Sequence, residues 1–257
     1  MSEPVAEFTT IESIFVRERN CLLLRGDFTS IFTDYYLHLM DLGERHPESL
    51  DSPLKDLLAV LTLHLTARPW AETIAWTANL RAPRVNFFAT GSSTHEYIIG
   101  RVFTEDVREP DRNFLYSQTT VPGAQPSLST IEVETSDPLE WIQHFYEQSE
   151  QRPGRAFRLP DDTYALVAAQ PDFDQEWLNA LTAEDVAKIS GAEKTKVLET
   201  RKFRFNCGCS IERIAPTLRA WKEKPEELFG DQDILNIQCP RCAKKYHFSR
   251  EDLGKGD

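Results

Sequence analysis

The sequence predicts an α+β protein in three parts: a mixed α/β sheet domain over 1–172, a helical linker over 173–202 and a small cysteine-centred domain over 203–257. Three observations lead there. Apolar residues at helical spacing give way after Trp70 to short β-branched and aromatic runs separated by Pro, Gly and charged breaks. Four of the five cysteines fall between 207 and 242, while the fifth is Cys21. Charge also steps: from Arg201 onward there are 12 Lys/Arg and 9 Asp/Glu, whereas the first 200 residues carry a net −15. Such a step marks two units with different surroundings.

The elements follow in order. Residues 1–10 form a polar arm, and 13–17 and 21–25 read as strands around the turn Glu18-Arg19-Asn20. Asp27 can cap a helix carrying Ile31, Tyr35, Leu39 and Leu42, which runs to about His46 before Pro47 stops it. Ser52 caps a second helix, with Pro53 at its first position and Leu54, Leu57, Leu58, Leu61 and Leu65 as a core-facing stripe. Strands follow at 73–79, 85–90, 96–103, 113–119 and 128–134, then a helix at 139–149 and a closing strand pair at 156–159 and 163–169. Two short amphipathic stretches, 176–181 and 183–189, and the polar run 190–196 make the connecting segment.

Composition excludes several classes. With 257 residues, 40% of them hydrophobic and 11% aromatic, the chain can bury a core. A net charge of −12 argues against a protein whose main task is gripping nucleic acid. No apolar run reaches the ~20 residues that span a bilayer, and Met1-Ser2-Glu3-Pro4 opens no secretory leader. A soluble, cytoplasmic protein is expected.

The chemistry concentrates in the last part. Cys207-Gly208-Cys209 is a Cys-x-Cys, and Cys239-Pro240-Arg241-Cys242 a Cys-x-x-Cys after a 29-residue gap. Two close pairs on a long loop suit tetrahedral Zn(II), with sulfurs ~2.3 Å from the metal. The expected ligands of one zinc ion are Cys207, Cys209, Cys239 and Cys242. Four thiolates and one Zn(II) leave a net −2, which Arg213, Arg241, Lys244 and Lys245 can offset. Unrelated buried thiols, permanent disulfides and a thioredoxin-like site are the alternatives weighed. The tight pairing, the absence of a leader and the position between two expected strands (234–238 and 245–248) favour zinc over each. A metal would also support a domain too small for a secure core. Zinc-bound thiolates react with peroxide or hypochlorite, so the spacing permits a switch that unfolds on oxidation, though a purely structural zinc has the same spacing.

The run 203–213, Phe-Arg-Phe-Asn-Cys-Gly-Cys-Ser-Ile-Glu-Arg, followed by Ile237-Gln238-Cys239-Pro240-Arg241-Cys242 and Tyr246-His247-Phe248, resembles the zinc-centre signature of the heat-shock protein 33 family of redox-regulated holdase chaperones. The stretch from Asp137 to Gln151, ending Tyr146-Glu147-Gln148-Ser149-Glu150-Gln151, is similar to that family's helix ending in Ser-Glu-Gln. The resemblance implies an N-terminal client-binding and dimerisation domain, a metastable helical linker and a zinc redox switch. It implies further that oxidation pairs Cys207 with Cys209 and Cys239 with Cys242 and releases zinc. The linker then unfolds, and apolar surface holds unfolding client proteins without ATP, often as a homodimer. The sequence departs from the family's usual pattern at 80–84 and 91–95, at Tyr116-Ser117-Gln118, and at Ser190-Gly191-Ala192-Glu193-Lys194, where members carry an acidic run.

Cys21 reads as a buried strand residue, and His38 and His64 as core or boundary residues. His247 lies near the cysteines, but four thiolates already fill a tetrahedral site. No nucleophile elbow, phosphate loop or His-Glu-x-x-His appears, so an enzyme is not expected. The rival class is a zinc-ribbon nucleic-acid-binding or regulatory module with a structural zinc, which the basic residues Arg201, Lys202, Arg204, Lys244 and Lys245 favour.

Overall fold

The computed structural model describes residues 7–253, so the first six residues of the expected polar arm lie outside the described residues. The chain divides into two compact units, Met1–Asn206 and Cys207–Asp257. Among the described residues no helix is long and apolar enough to cross a membrane.

The larger unit carries, in chain order, β1 (Thr9–Val16), β2 (Cys21–Asp27), α1 (Thr29–Leu42), α2 (Glu48–Thr66), β3 (Thr73–Leu80), β4 (Val85–Ser92), β5 (Tyr97–Phe103), β6 (Phe114–Thr120) and β7 (Ser127–Glu132). Then come α3 (Pro138–Gln148), β8 (Gly154–Arg158), β9 (Thr163–Ala169), α4 (Gln175–Ala180), α5 (Ala183–Ala192) and β10 (Thr195–Phe205). All ten strands form one sheet in the order β7-β6-β3-β4-β5-β10-β1-β2-β9-β8. Each neighbouring pair is antiparallel except β10 with β5. That parallel join rests on two residue pairs, Arg204 with Tyr97 and Phe205 with Ile98. The sheet is therefore two antiparallel halves clasped together by the end of β10.

Helix α2 packs on strands of both halves, and from Asp56 to Thr66 every residue is buried. Its approach to the sheet is close at Gly91, where a Cβ would lie 2.6 Å from Leu65 Cδ1 and 2.8 Å from the Tyr97 carbonyl oxygen. His64 faces inward among Trp76, Phe145 and Tyr146, with Nδ1 3.2 Å from the Tyr146 hydroxyl. Burial and the charges of Arg68 and Arg152 hold its pKa down to about 3, so it is the neutral core histidine expected. Midway along α2 the buried Asp56 carboxylate accepts two bonds from the Arg158 guanidinium, at 2.9 and 2.7 Å, and one from the Tyr164 hydroxyl at 2.8 Å. The Ser-Glu-Gln motif ends α3, and Glu150 there accepts from Arg68 at 3.0 and 3.2 Å.

Three boundaries differ from the sequence reading. Helix α1 stops at Leu42, because Gly43 adopts φ +67° and donates its N–H to the Leu39 and Met40 carbonyls before Pro47 is reached. Helix α2 begins at Glu48, with Glu48 and Asp51 favouring its N-terminal dipole, so Pro53 lies inside the helix and not at its first position. The polar run 190–196 is the end of α5 and the start of the long strand β10, which pairs along β1 from Thr195 opposite Val16 to Phe203 opposite Thr9. Arg201, counted from sequence among the exposed basic residues, is only 4% exposed. Its Nη1 donates to the Leu65 and Arg68 carbonyls at 2.8 Å and closes the end of α2.

The smaller unit holds α6 (Ile211–Arg219), α7 (Pro225–Phe229), the antiparallel hairpin β11 (Ile234–Gln238) and β12 (Lys245–Ser249), and a 3₁₀ turn at Arg250–Leu253. Its buried core is Ala215, Phe229, Phe248 and Leu253, flanked by partly buried Ile211, Leu218, Leu228, Leu235 and Ile237. Arg250 staples the unit, gripping both oxygens of Glu226 at 2.8 and 3.1 Å and the Gly230 carbonyl at 2.6 Å.

Candidate metal centre

The hairpin β11–β12 presents Cys239 and Cys242 in the tight connection between its strands. The Cys239 N–H donates to the Lys244 carbonyl and the Ala243 N–H to the Cys239 carbonyl, both at 2.9 Å. Ala243 takes φ +64° to complete the turn. Cys207 and Cys209 come from the extended segment before α6, where Gly208 adopts φ +62° and lets the chain reverse between the two sulfurs.

The four sulfurs lie within 4.8 Å of one another. Cys207 Sγ is 3.7 Å from Cys239 Sγ, and Cys209 Sγ is 3.4 Å from Cys242 Sγ. Tetrahedral sulfurs bound at ~2.3 Å would lie about 3.8 Å apart, so the cluster has the dimensions of a four-thiolate metal site. Soft sulfur donors without oxygen ligands suit zinc rather than magnesium or calcium.

The surroundings favour one anionic sulfur, that of Cys207. Thiol donation from Cys242, with Cys209, Arg241 and Cys239 assisting, pulls the Cys207 pKa down to about 5 against its burial. The hydrogen bond to Cys207, followed by burial, pushes Cys242 up, while burial chiefly raises Cys209. The Tyr246 hydroxyl donates to Cys209 Sγ at 3.0 Å and to the Cys209 carbonyl at 2.8 Å. Arg213 donates to the Gly208 carbonyl at 2.7 Å, between the two cysteines, and Lys244 lies over the Tyr246 ring. His247 is directed elsewhere, with Nδ1 2.7 Å from Asn236 Oδ1 across the hairpin. The role of Tyr246 was not assigned from sequence, although its place four residues beyond the second pair was a usable signal.

Cys21 belongs to the larger unit and is fully buried in β2, its thiol donating to the Arg19 carbonyl at 3.3 Å. Burial and the nearby Asp174 charge push its pKa up to about 12, as suits an inert strand thiol. Around it runs an apolar patch on the β1-β2-β9-β8 half-sheet, including Ile14, Val16, Leu23, Phe157, Ala165 and Val167. Leu178 and Leu181 at the α4 end, with Val186 and Ile189 of α5, cover this patch. Polar anchoring adds to the packing: Arg155 Nη1 on β8 donates to the Leu178, Asn179 and Leu181 carbonyls at 2.8–2.9 Å.

Fold and site define a two-unit α+β protein with a four-thiol centre in the smaller unit, and known proteins resemble it in sequence and fold. A profile described as "Hsp33 protein" matches residues 158–249. The 33 kDa chaperonin of Nitrosococcus oceani is 25% identical over 225 residues, covering 79% of this chain and 70% of that protein. The 33 kDa chaperonin of Bacillus cytotoxicus is 39% identical over 67 residues, 26% of this chain and 23% of that one. A solved structure, the 33 kDa chaperonin (heat shock protein 33 homolog) of Thermotoga maritima, superposes with a TM-score of 0.75 at 15% identity over 97% of both chains. The profile match, the chaperonin relatives and the shared fold support a relationship of this chain to the Hsp33 family. Its matched stretch spans most of the Nitrosococcus relative but about a third of the Lactobacillus relatives and less of the Bacillus one.

Proposed function

We propose that this protein is a redox-regulated, ATP-independent holdase, inactive with zinc bound and active once its four cysteines are oxidised. The observation that carries the reading is the four-sulfur cluster within 4.8 Å in a unit whose buried core is so small. Cys207, Cys209, Cys239 and Cys242 would hold one Zn(II), which when bound keeps the sulfurs as thiolates and ties Cys207-Gly208-Cys209 to the β11–β12 turn.

Oxidation removes the donors. In each couple, Cys207 with Cys209 and Cys239 with Cys242, two thiolates give two electrons to one peroxide. An S–S bond forms, the O–O bond breaks, and two protons from solvent complete two waters. The disulfides cannot serve as thiolate ligands, and a folding contribution of order ~10–16 kcal/mol is lost with the metal. The smaller unit then unfolds.

Residues 173–202 act as the linker in this scheme. Helices of six and ten residues are too short to persist without the surface they cover. Their release would uncover the patch around Cys21, Leu23 and Val167, an apolar surface suited to unfolding chains. The partners are unfolding client proteins, the activated form can pair as a homodimer, the setting is cytoplasmic, and no reaction is catalysed on the client.

The test follows metal, disulfides and holding in one sample. Peroxide treatment should release one zinc per chain, give the two disulfides in peptide mapping, and bring suppression of client aggregation with it. Suppression that is the same before and after release would leave a chaperone without redox control. Retention of zinc under peroxide and mild heat would make the metal structural.

A further inference from the structure

One short turn holds both ends of the α4–α5 segment. Arg19, between β1 and β2, reaches Asp174 Oδ2 with Nη1 at 2.7 Å and Glu193 Oε1 with Nη2 at 3.1 Å. Asp174 is the N-cap of α4, its side chain accepting from the Trp177 N–H, and Glu193 directly follows α5. The same guanidinium lies over the Trp177 ring, 5.6 Å from its centroid. Backbone bonds follow the same plan: Asp174 N–H donates to the Arg19 carbonyl at 3.0 Å and Arg17 N–H to the Lys194 carbonyl at 2.9 Å. Glu18 and Lys194 pair beside them.

We propose that Arg19 is a clasp that sets how readily α4–α5 leaves the sheet, acting separately from the cysteines. The inference rests on reading α4–α5 as the releasable cover. The apolar contacts of Leu178, Leu181, Val186 and Ile189 fix the middle of the segment, but two short helices fray from their ends. A single planar cation shared by the two end carboxylates couples those ends, because neither can lift without giving up its half of the fork. Without Arg19, Asp174 and Glu193 lose their common counter-charge. Arg19 and Asp174 are each about one-third exposed and Glu193 is 16% exposed, so the pairs are partly shielded from solvent.

The experiment uses the full, reduced, zinc-loaded chain. Arg19→Ala, Arg19→Lys and Glu193→Gln are compared with the parent by amide hydrogen exchange and by the labelling rate of Cys21, read from its peptide. Two partly exposed pairs lie within a range that predicts an increase of about threefold to thirtyfold in α5 exchange and Cys21 labelling for Arg19→Ala, with α2 protection unchanged. Arg19→Lys, which cannot fork, and Glu193→Gln should each fall between parent and Arg19→Ala. Unchanged α5 exchange and Cys21 labelling in Arg19→Ala and Glu193→Gln would overturn the clasp. A parallel loss of α2 protection would do so too, since Arg19 would then support the whole unit. Should Arg19→Ala fail to fold, Glu193→Gln alone decides. If the variants open α5 yet hold no client, the clasp stands and the client surface lies elsewhere.

Discussion

The Tyr246 hydroxyl donates to Cys209 Sγ at 3.0 Å, so an aromatic side chain of β12 stabilises negative charge on a sulfur from the segment before α6. Hydrogen bonds to ligand atoms orient them and tune their basicity, and their removal typically weakens metal binding 10–100-fold. Tyr246→Phe keeps the ring and loses the donor. It should lower zinc affinity by about tenfold in a chelator competition and speed metal loss under peroxide, with the fold intact.

Removal of one sulfur has a larger and more local effect. Cys239→Ser should abolish stoichiometric zinc binding and unfold the smaller unit, while the larger unit keeps its cooperative transition. Cys21→Ala should leave one zinc per chain and cost about 1 kcal/mol by opening a small void. Metal content and urea unfolding of the two variants check both outcomes.

His64 sets an acid limit on the larger unit. Its folded pKa is depressed to about 3 against an ordinary 6.5, so the unfolded chain binds its proton first as pH falls. The stability associated with neutral His64 is complete above pH 6.5 and is lost progressively from there towards pH 3, by at most about 1.4 kcal/mol per pH unit. His64→Gln keeps a polar partner for Tyr146 without a titrating group. Its urea midpoint should fall less steeply with acidification than the parent's, and equal slopes would remove His64 as the cause.

Asp56 supplies a further stability test. Its carboxylate is almost wholly buried and depends on Arg158 and the Tyr164 hydroxyl for its partners. Arg158→Ala leaves that charge with one neutral donor and should cost about 2–3 kcal/mol, below the full buried-pair range because Arg158 is itself half-exposed. Denaturant titration of the larger unit reads the shift.

The four cysteines were legible in sequence because a tetrahedral site needs close pairs, and pairs are visible in a linear chain. The strands from Thr73 to Glu132 and the stripe of α2 were legible for a similar reason, through local periodicity. Strand β10 was not. Its first half, Thr195 to Thr200, is mostly exposed and shows no alternation of apolar and polar residues, and its place is fixed by pairing with β1 nearly two hundred positions away. Arg19 and Arg155 escaped for the same reason, since their partners around α4 and α5 are joined to them only by the fold. Arg201 looked like surface charge until the end of α2 met it.

The central claim is that oxidation of the zinc-bound thiols turns on client holding. Light scattering from a denatured client diluted into buffer tests it most directly, with the protein reduced and zinc-loaded, peroxide-oxidised, or oxidised and then reduced again with zinc. The account predicts suppression of aggregation in the oxidised sample alone, lost again on reduction with zinc. Equal suppression in all three, or none in the oxidised sample, would contradict it.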